Sequence, residues 1–401
     1  MRNVSIFTPK NFINLSPKFL KMYSMNVGFK KKDKDLLIVI FENSINVECI
    51  YSKTSTPSAP IIWDKKNNKG KCKVLIVNAG NANAHTGNNG IKVIDKYVGY
   101  LSSLLKCKKN EILVSSTGVI GEVFDPNIII KSFKNILKSK KIDLIKAARS
   151  IMTTDTFPKT ASHSLKIDNN IIRIYGIAKG SGMIFPNMGT MLAYIFVECS
   201  LSNIELKKLI KDNIDNTFNS ISVDGDTSTS DTLMLFSLSK LKINLKKNNY
   251  TILSNAIQKV MKNLSMQVIK DGEGLSKLIE VSVTNAKNPT QGKNIAFTIV
   301  NSPLVKTAIA GEDANWGRII MAIGKSYEKI IQNKIKIYFG NNLVCEKGSI
   351  TNKINIPKLN KYMKEKIIKI KVDLGLGKYS KTVYGNDLTY KYIKINADYR
   401  S

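Results

Sequence analysis

Cleavage of the peptide bond between Gly189 and Thr190 would give a threonine that could carry out acyl transfer. A threonine at a newly formed chain N-terminus carries an α-amino group with a reference pKa of roughly 7.7 to 8.0, which is suited to accept the hydroxyl proton. Residues 186–189 form a turn sequence, and glycine tolerates the strained backbone that would direct the Thr190 hydroxyl towards its upstream carbonyl. The alternative is that Thr190 is an ordinary β-forming residue at the start of a strand.

Other catalytic and binding motifs are incomplete in this chain. It has two histidines, His85 and His163, so a Ser-His-Asp triad or a His-rich metal site would have few members. In KGSG, Lys179 precedes the glycines, whereas the phosphate-binding loop of nucleotide enzymes requires a lysine after them. In DGDTSTSD, Thr229 and Leu235 replace the glycine and the bidentate glutamate of a calcium-binding EF-hand. We therefore expect no metal and no nucleotide cofactor.

The composition indicates a folded protein of ordinary size. The 401 residues are 43% hydrophobic and 23% charged, which provides enough apolar surface to offset the entropy of ordering the backbone. The apolar stretch 36–41 is far shorter than the roughly 20 residues that span a bilayer. Residues 1–10 lack the apolar region of a secretory signal peptide, and the five cysteines are widely spaced. We expect a cytoplasmic protein without a membrane helix, with reduced and mostly buried thiols.

The net charge raises the question of nucleic-acid binding. Sixty-two Lys and Arg against 30 Asp and Glu give +32, a field that attracts RNA, anionic lipid or acidic metabolites. The lysines are scattered through every segment, and neither a nucleic-acid-binding motif nor interleaved aromatic residues accompany them. A solvated basic surface explains the charge better than nucleic-acid binding does.

Short hydrophobic runs alternate with amphipathic stretches along the chain, which is typical of α/β proteins. Strands are predicted at 35–41, 73–80, 111–117, 169–178, 190–198, 277–284, 334–339 and 390–397. Helices are predicted at 91–107, at 127–140, after the capping pair Ser202 and Glu205, and from Ser302 and Pro303 to Gly311. We expect an α/β protein with layered sheets and helices.

Seven polar or glycine-rich motifs follow one another from about residue 74 to the last residue. They are NAGNANAHTG, STGVIGE, IMTTDTFPK, GIAKGSGMIFPNMGTMLA, SVDGDTSTSDT, SPLVKTAIAGEDANWGRI and DLTYKYIKINADYRS. In this order they resemble the segments of the arginine-biosynthesis family of ornithine acetyltransferases, also described as glutamate N-acetyltransferases. One motif such as KGSGM would be weak, but seven in order over most of the chain make coincidence implausible.

The resemblance implies a reaction and a maturation step. Members of this family cut their precursor before the threonine that matches Thr190, which here would give an α chain (1–189) and a β chain (190–401) within one layered α/β sandwich of mixed sheets with flanking helices. Such proteins are typically heterotetramers of two α and two β chains. They transfer an acetyl group from N2-acetylornithine to glutamate through an N-terminal-nucleophile-like mechanism without a cofactor, and some members also accept acetyl-CoA.

The family's functional residues carry over to matching positions in this sequence. Thr190 corresponds to the nucleophile, and Thr117 with Gly118 corresponds to an oxyanion hole. The substrate-binding residues implied are Thr153, Lys179, Thr190, Glu273, Asn396 and Ser401. Lys179 is suited to the α-carboxylate shared by ornithine and glutamate, and Glu273 to the ornithine ammonium. Thr154 and Thr156 lie in the same short run as Thr153 and are alternatives to it.

Two other classes of function remain open at the level of sequence. An amidase or aminopeptidase with a similar N-terminal nucleophile would use water instead of glutamate as the acyl acceptor. An RNA-binding protein would show strong, salt-sensitive RNA affinity and one intact polypeptide. One departure from the family lies at the cut itself, where Gly189 stands in place of the usual alanine, and this change should still permit cleavage.

Overall fold

The hydrophobic runs form two mixed β-sheets in the computed structural model, which describes residues 4–12, 14–185 and 191–398. The strands are β1 (Leu20–Met25), β2 (Leu36–Tyr51), β3 (Lys71–Asn81), β4 (Ile112–Val119), β5 (Lys159–Ile167), β6 (Asn170–Lys179), β7 (Leu192–Val197), β8 (Ile221–Ser222), β9 (Thr232–Ser237), β10 (Leu278–Ala286), β11 (Lys336–Phe339), β12 (Asn342–Glu346), β13 (Ser349–Ile350), β14 (Ile367–Asp373) and β15 (Tyr379–Asn386).

Helices flank both sheets. They are α1 (Ala59–Asn67), α2 (Gly87–Leu105), α3 (Asn127–Lys138), α4 (Leu144–Ser150), α5 (Asn203–Ile214), α6 (Lys247–Lys270), α7 (Pro289–Val300), α8 (Pro303–Ala310), α9 (Trp316–Lys325), α10 (Ile356–Met363) and α11 (Tyr390–Ala397). Short 3-10 turns lie at Lys109–Glu111, Phe218–Ser220 and Gln332–Lys334.

The first sheet has the strand order β4-β3-β2-β9-β7-β6-β5, and β1 pairs with β2 outside this path. The neighbours β3 and β4 run parallel, as do β7 and β9, whereas the other adjacent pairs are antiparallel. The long strand β2 pairs with β1 and β3 through its first part and with β9 through residues 47–51. Because β2 belongs to both groups of strands, it joins them into one sheet.

Strand β7 lies in the centre of this sheet and is buried on both faces. Tyr194 and Phe196 pack in the cluster that includes α4, while Ile195 and Val197 pack in the cluster that includes α5 and α6. Since successive side chains of a strand point to opposite faces, only a continuous apolar run can fill both clusters. Each fully buried side chain of this kind contributes about 1.5 to 3 kcal/mol to folding.

The second sheet has the strand order β13-β12-β11-β14-β10-β15-β8. Strand β14 alternates, with Ile368, Ile370 and Val372 buried and the residues between them exposed. These side chains pack in one cluster with α7, α8 and α9, so helices cover one face of this sheet. Helix α6 contacts β5 and β6 of the first sheet and also β8 and β15 of the second. The molecule therefore has the layered α/β architecture predicted from the sequence.

Most predicted elements are confirmed. The predicted strands from 35–41 to 334–339 correspond to β2, β3, β4, β6, β7, β10 and β11, and the predicted helices correspond to α2, α3, α5 and α8. The Ser202 hydroxyl accepts the backbone N–H of Glu205, and the Ser302 hydroxyl accepts that of Val305. Among the described residues, none of the helices combines the length and the apolar character needed to cross a lipid bilayer.

The strand predicted over 390–397 was wrong, because these residues form helix α11. Alternating apolar and lysine residues over so short a segment fit a strand and one face of a helix equally well. Thr389 decides between them, because its side chain caps the helix by accepting the backbone N–H of Lys391. The helical form brings Tyr392 and Asn396 onto one face, four residues apart.

Candidate active site

A cavity of about 310 Å³ lies where β4, β6 and β7 meet the loops of the second half of the chain. Six of the predicted site residues line it: Thr117, Gly118, Thr153, Lys179, Glu273 and Asn396. Met191 and Leu192, which follow Thr190 in the chain, also line it. Gly189, Thr190 and Ser401 lie outside the described residues. The structure thus brings together residues from four of the seven motifs and Glu273, which lies outside them.

Thr117 and Gly118 lie at the end of β4, where this strand runs parallel to β3. Thr117 is buried, and Gly118 has a φ of +133°, a conformation that glycine adopts easily and other residues rarely do. A Cβ at Gly118 would lie 2.2 Å from the carbonyl carbon of Gly80 in the neighbouring strand. The close approach of these two backbones therefore requires glycine, and it leaves the end of β4 open to the cavity.

Asparagine side chains hold the loop that follows β3 against the end of β4. Asn78 accepts a hydrogen bond from the Ser116 hydroxyl at 2.5 Å and donates to the carbonyl of Asn81 at 2.8 Å. Asn81 in turn accepts from the backbone N–H of Asn83 at 2.8 Å and donates to the carbonyl of Glu122 at 3.0 Å. These side chains belong to the motif NAGNANAHTG, and their hydrogen bonds hold the end of β4 that carries Thr117 and Gly118.

Lys179 is the last residue of β6, and it is the one cationic side chain among the described residues that line the cavity. Its Nζ donates to the hydroxyl of Thr153 at 3.3 Å. Burial lowers the pKa of Lys179, and the nearby carboxylates of Asp155 and Asp231 oppose this shift. Lys179 is therefore placed to attract a carboxylate from a small molecule inside the cavity.

Glu273 provides a carboxylate on the cavity wall and follows the end of α6 by three residues. Its backbone N–H donates to the carbonyl of Ser181 at 2.9 Å, and its Oε2 accepts from the side-chain amide of Asn396 at 2.9 Å. The carboxylate packs so closely on Gly182 that a Cβ there would lie 2.4 Å from Oε2. A side chain at Gly182, the second glycine of KGSG, would therefore displace the Glu273 carboxylate, and no phosphate needs to be invoked for this glycine.

Helix α11 brings Asn396 to Glu273. The hydroxyl of Thr389 donates to the carbonyl of Gly274 at 2.6 Å, and the backbone of Tyr392 leaves no room for a Cβ at Gly274. One turn later, Asn396 reaches the carboxylate. Because this contact depends on the helical geometry of α11, a strand over 390–397 would not have predicted it.

The motif VDGDTSTSD holds the segment that precedes residues 186–190. The carboxylate of Asp224 accepts the backbone N–H groups of Met183 at 2.6 Å and Ile184 at 2.9 Å. The hydroxyl of Thr227 donates to the carbonyl of Phe185 at 2.9 Å. The acidic residue that seemed to suggest a calcium loop therefore binds backbone amides.

The three threonines of the run 152–159 have different surroundings. Thr153 and Thr154 line the cavity, and the hydroxyl of Thr154 lies 2.7 Å from that of Ser181. Thr156 instead donates its backbone N–H to the buried carboxylate of Asp271 at 2.9 Å. Asp271 and Asp155 both form ion pairs with the buried Lys159. The sequence did not predict this ion cluster, since aspartate and lysine residues are usually solvated.

The fold and the cavity together define an α/β protein whose polar site lies at strand ends. A model of the ArgJ family matches residues 21–401. The chain is 40% identical to an arginine biosynthesis bifunctional protein of Bartonella henselae over 406 residues, covering 99% of each chain. It is 38% identical to the protein of the same name from Mesorhizobium japonicum over 409 residues, again covering 99% of each. The chain belongs to the ArgJ family, and the recognition made from its motifs is confirmed.

Solved structures of similar proteins match parts of the chain. A crystal structure of the arginine biosynthesis bifunctional protein from Bacillus halodurans is 36% identical and covers 50% of this chain and 97% of its own, with a TM-score of 0.47. One of an ornithine acetyltransferase from Mycobacterium tuberculosis, complexed with ornithine, is 23% identical and covers 48% of this chain and 98% of its own, with a TM-score of 0.38.

Proposed function

We propose that this protein transfers the acetyl group of N2-acetyl-L-ornithine to L-glutamate, forming L-ornithine and N-acetyl-L-glutamate for arginine biosynthesis. One observation carries the proposal: a single cavity presents the ammonium of Lys179, the carboxylate of Glu273 and the strand end at Thr117 and Gly118. A cation and an anion in one small cavity suit an amino acid that carries both charges. Membership in the ArgJ family supports this reaction over RNA binding.

The nucleophile is proposed to arise by self-cleavage of the Gly189–Thr190 bond, which divides the chain into an α chain (1–189) and a β chain (190–401). Cleavage gives Thr190 a free α-amino group as its own base. Support comes from the next residues, because Met191 and Leu192 line the cavity. Thr190 directly precedes Met191 in the chain, and this adjacency supports a nucleophile at the cavity.

Acetyl transfer then proceeds in two halves. The Thr190 hydroxyl oxygen attacks the acetyl carbonyl carbon, its proton passes to the α-amine, and the C–N bond breaks as ornithine leaves with that proton. The acetyl group remains as an ester on Thr190. The neutral amine of glutamate next attacks the ester carbonyl carbon, the bond between this carbon and the Thr190 oxygen breaks, and the proton lost by the amine passes through the α-amino group to the Thr190 oxygen. The hydroxyl of Thr117 and the backbone N–H of Gly118 stabilise the oxyanion formed in both halves.

Substrate recognition follows from the charges of the wall. Lys179, supported by Thr153, binds the α-carboxylate that ornithine and glutamate share, and Glu273, supported by Asn396, binds the ornithine ammonium. Ser401 is proposed to complete the site from the C-terminus. The α and β chains are proposed to assemble as a heterotetramer in the cytoplasm. Use of acetyl-CoA as a further acetyl donor is a separate prediction from the family resemblance.

The reaction is tested with purified protein and the two substrates. We expect equal amounts of ornithine and N-acetylglutamate, parallel double-reciprocal plots, and an acetylated peptide beginning at Thr190 when glutamate is omitted. Release of acetate at a rate that does not depend on glutamate would instead identify an amidase. Salt-sensitive RNA binding without acetyl transfer would favour the nucleic-acid alternative.

The lowered pKa of Lys179 predicts how substrate binding depends on pH. A lysine is charged below its pKa, so the attraction for carboxylate is present below the pKa of Lys179 and is lost as the pH rises through this pKa, which lies below the ordinary value of 10.5. The KM for N2-acetylornithine should rise about ten-fold or more, since a hydrogen bond to a charged group contributes about 1.5 to 3 kcal/mol.

The matched control for this pH effect is Lys179→Arg, because arginine remains charged over the whole range. The ammonium of the substrate titrates identically with both enzymes, so the difference between their KM curves isolates Lys179. Identical alkaline limbs for the native and the arginine enzymes would show that Lys179 does not bind the carboxylate.

A further inference from the structure

Lys159 forms a buried ion cluster behind the cavity wall. Its Nζ lies 2.5 Å from Oδ1 of Asp155 and 2.6 Å from Oδ2 of Asp271, and all three side chains are fully buried. Burial opposes the charge of Lys159, but the two carboxylates outweigh it and raise the pKa of the lysine. The ammonium therefore stays charged and holds both carboxylates.

The first carboxylate fixes one side of the cavity. Asp155 accepts the backbone N–H of Thr153 at 2.9 Å and that of Gly180 at 2.7 Å. Thr153 lines the cavity, and Gly180 directly follows Lys179. The position of the proposed carboxylate-binding groups is therefore coupled to Asp155.

The second carboxylate anchors the segment that leads to Glu273. Asp271 accepts both the backbone N–H and the hydroxyl of Thr156, and it precedes Glu273 by two residues. The backbone N–H of Glu273 is bound in turn by Ser181, which places its carboxylate on the wall. Lys159 thus bridges two segments, and one carries Lys179 while the other carries Glu273.

We propose that Lys159 is a positioning residue that sets the separation between Lys179 and Glu273, and thereby the chain length of the amino acid that the site accepts. The inference rests on the proposed function, in which these two groups bind the two ends of ornithine. A buried ammonium between two carboxylates resists displacement, because moving either carboxylate away would leave a charge unpaired in a dry environment. Lys159 does not line the cavity, so its effect on substrate choice acts through the residues it bridges.

The bridge also connects the two proposed chains. Asp155 and Lys159 precede the Gly189–Thr190 bond, whereas Asp271 follows it. The cluster would therefore keep the two sides of the cavity at a constant separation after the chain has been cut. A packing contact between apolar side chains would tolerate small shifts that an ion bridge of this kind does not.

The test compares substrates that differ by one methylene. The full-length protein is assayed with N2-acetylornithine and N2-acetyllysine, for which one methylene is worth roughly a 10- to 200-fold preference in kcat/KM. In the triple variant Lys159→Met, Asp155→Asn and Asp271→Asn, all charge is removed while the amide oxygens can still accept the backbone N–H groups. We expect the preference for N2-acetylornithine to fall at least about five-fold, mainly through its KM.

Lys159→Arg is a second variant, which keeps the positive charge at this position but has a larger head group. It tests the separation between Lys179 and Glu273 if the triple variant fails to fold. It should shift the preference in the same way. Glu198→Gln is the matched control, because Glu198 is also buried and ion-paired, to Arg173, but lies beyond the far end of β7. That variant should retain the native preference.

The outcomes separate this inference from the proposed function. Native protein that transfers no acetyl group would overturn the function itself. The role of Lys159 alone would be overturned if the native protein transfers the acetyl group and a folded Lys159 variant keeps the native preference between the two donors. A lowered thermal stability without a changed preference also counts against the inference, because a purely structural role predicts that result.

Discussion

Thr190→Ala is expected to yield a single uncut polypeptide that transfers no measurable acetyl group. The substitution removes the hydroxyl oxygen that is proposed to attack both its own upstream carbonyl and the acetyl group of the substrate. Loss of a catalytic nucleophile lowers kcat by more than about 10⁴-fold in enzymes of this kind. A denaturing gel and N-terminal sequencing report cleavage, and the formation of N-acetylglutamate reports transfer.

Thr190→Ser is the matched control for this experiment. Serine keeps the hydroxyl and the α-amino group, so the precursor should still be cut and the mature enzyme should retain transfer activity. The mechanism would be rejected if Thr190→Ala, or a native chain still continuous between residues 189 and 190, catalysed the reaction at the normal rate.

Gly118→Ala is expected to lower kcat by about 10² to 10³, the usual consequence of losing an oxyanion-hole donor. A Cβ at this position would lie 2.2 Å from the carbonyl carbon of Gly80, so one of the two strands must move. The φ of +133° adds strain for any residue with a side chain. The melting temperature should fall as well, and kcat is measured on the folded fraction.

Gly121→Ala separates the two causes. Gly121 also has a positive φ, of +91°, but a Cβ there would meet no atom within 4 Å. Alanine at this site introduces backbone strain of about 1 to 3 kcal/mol without a clash, so kcat should stay close to that of the native enzyme. If Gly118→Ala behaved like Gly121→Ala, the backbone of Gly118 would have no role in catalysis.

Much of the site could be predicted because the motifs that carry the family resemblance are short and continuous in the sequence. The resemblance pointed to Thr117, Gly118 and Lys179, and all three line the cavity. The motif order indicated the family, which the comparisons confirm. The roles of these residues in catalysis, and the cut before Thr190, remain predictions.

Contacts between distant segments could not be predicted from the sequence. Lys159 and Asp271 lie 112 positions apart in the sequence. Because lysine and aspartate side chains are usually solvated, the residues around each of them did not predict a buried ion pair. Asp224 lies in a motif that was compared with a calcium loop and with the family, and neither comparison predicted that it binds the backbone of Met183 and Ile184. In each case the partner is supplied by a distant segment.

The sequence by itself determined the positions of seven strands and four helices, because the alternation of apolar and polar residues reflects which side chains can be buried within one element. It also determined the residue types available for chemistry and the family to which they belong. Only the tertiary structure decided that 390–397 is a helix, that Asn396 meets Glu273 across 123 positions, and that Lys159 pairs with the carboxylates of both Asp155 and Asp271. Such contacts depend on how separate elements pack, and packing is a property of the whole chain.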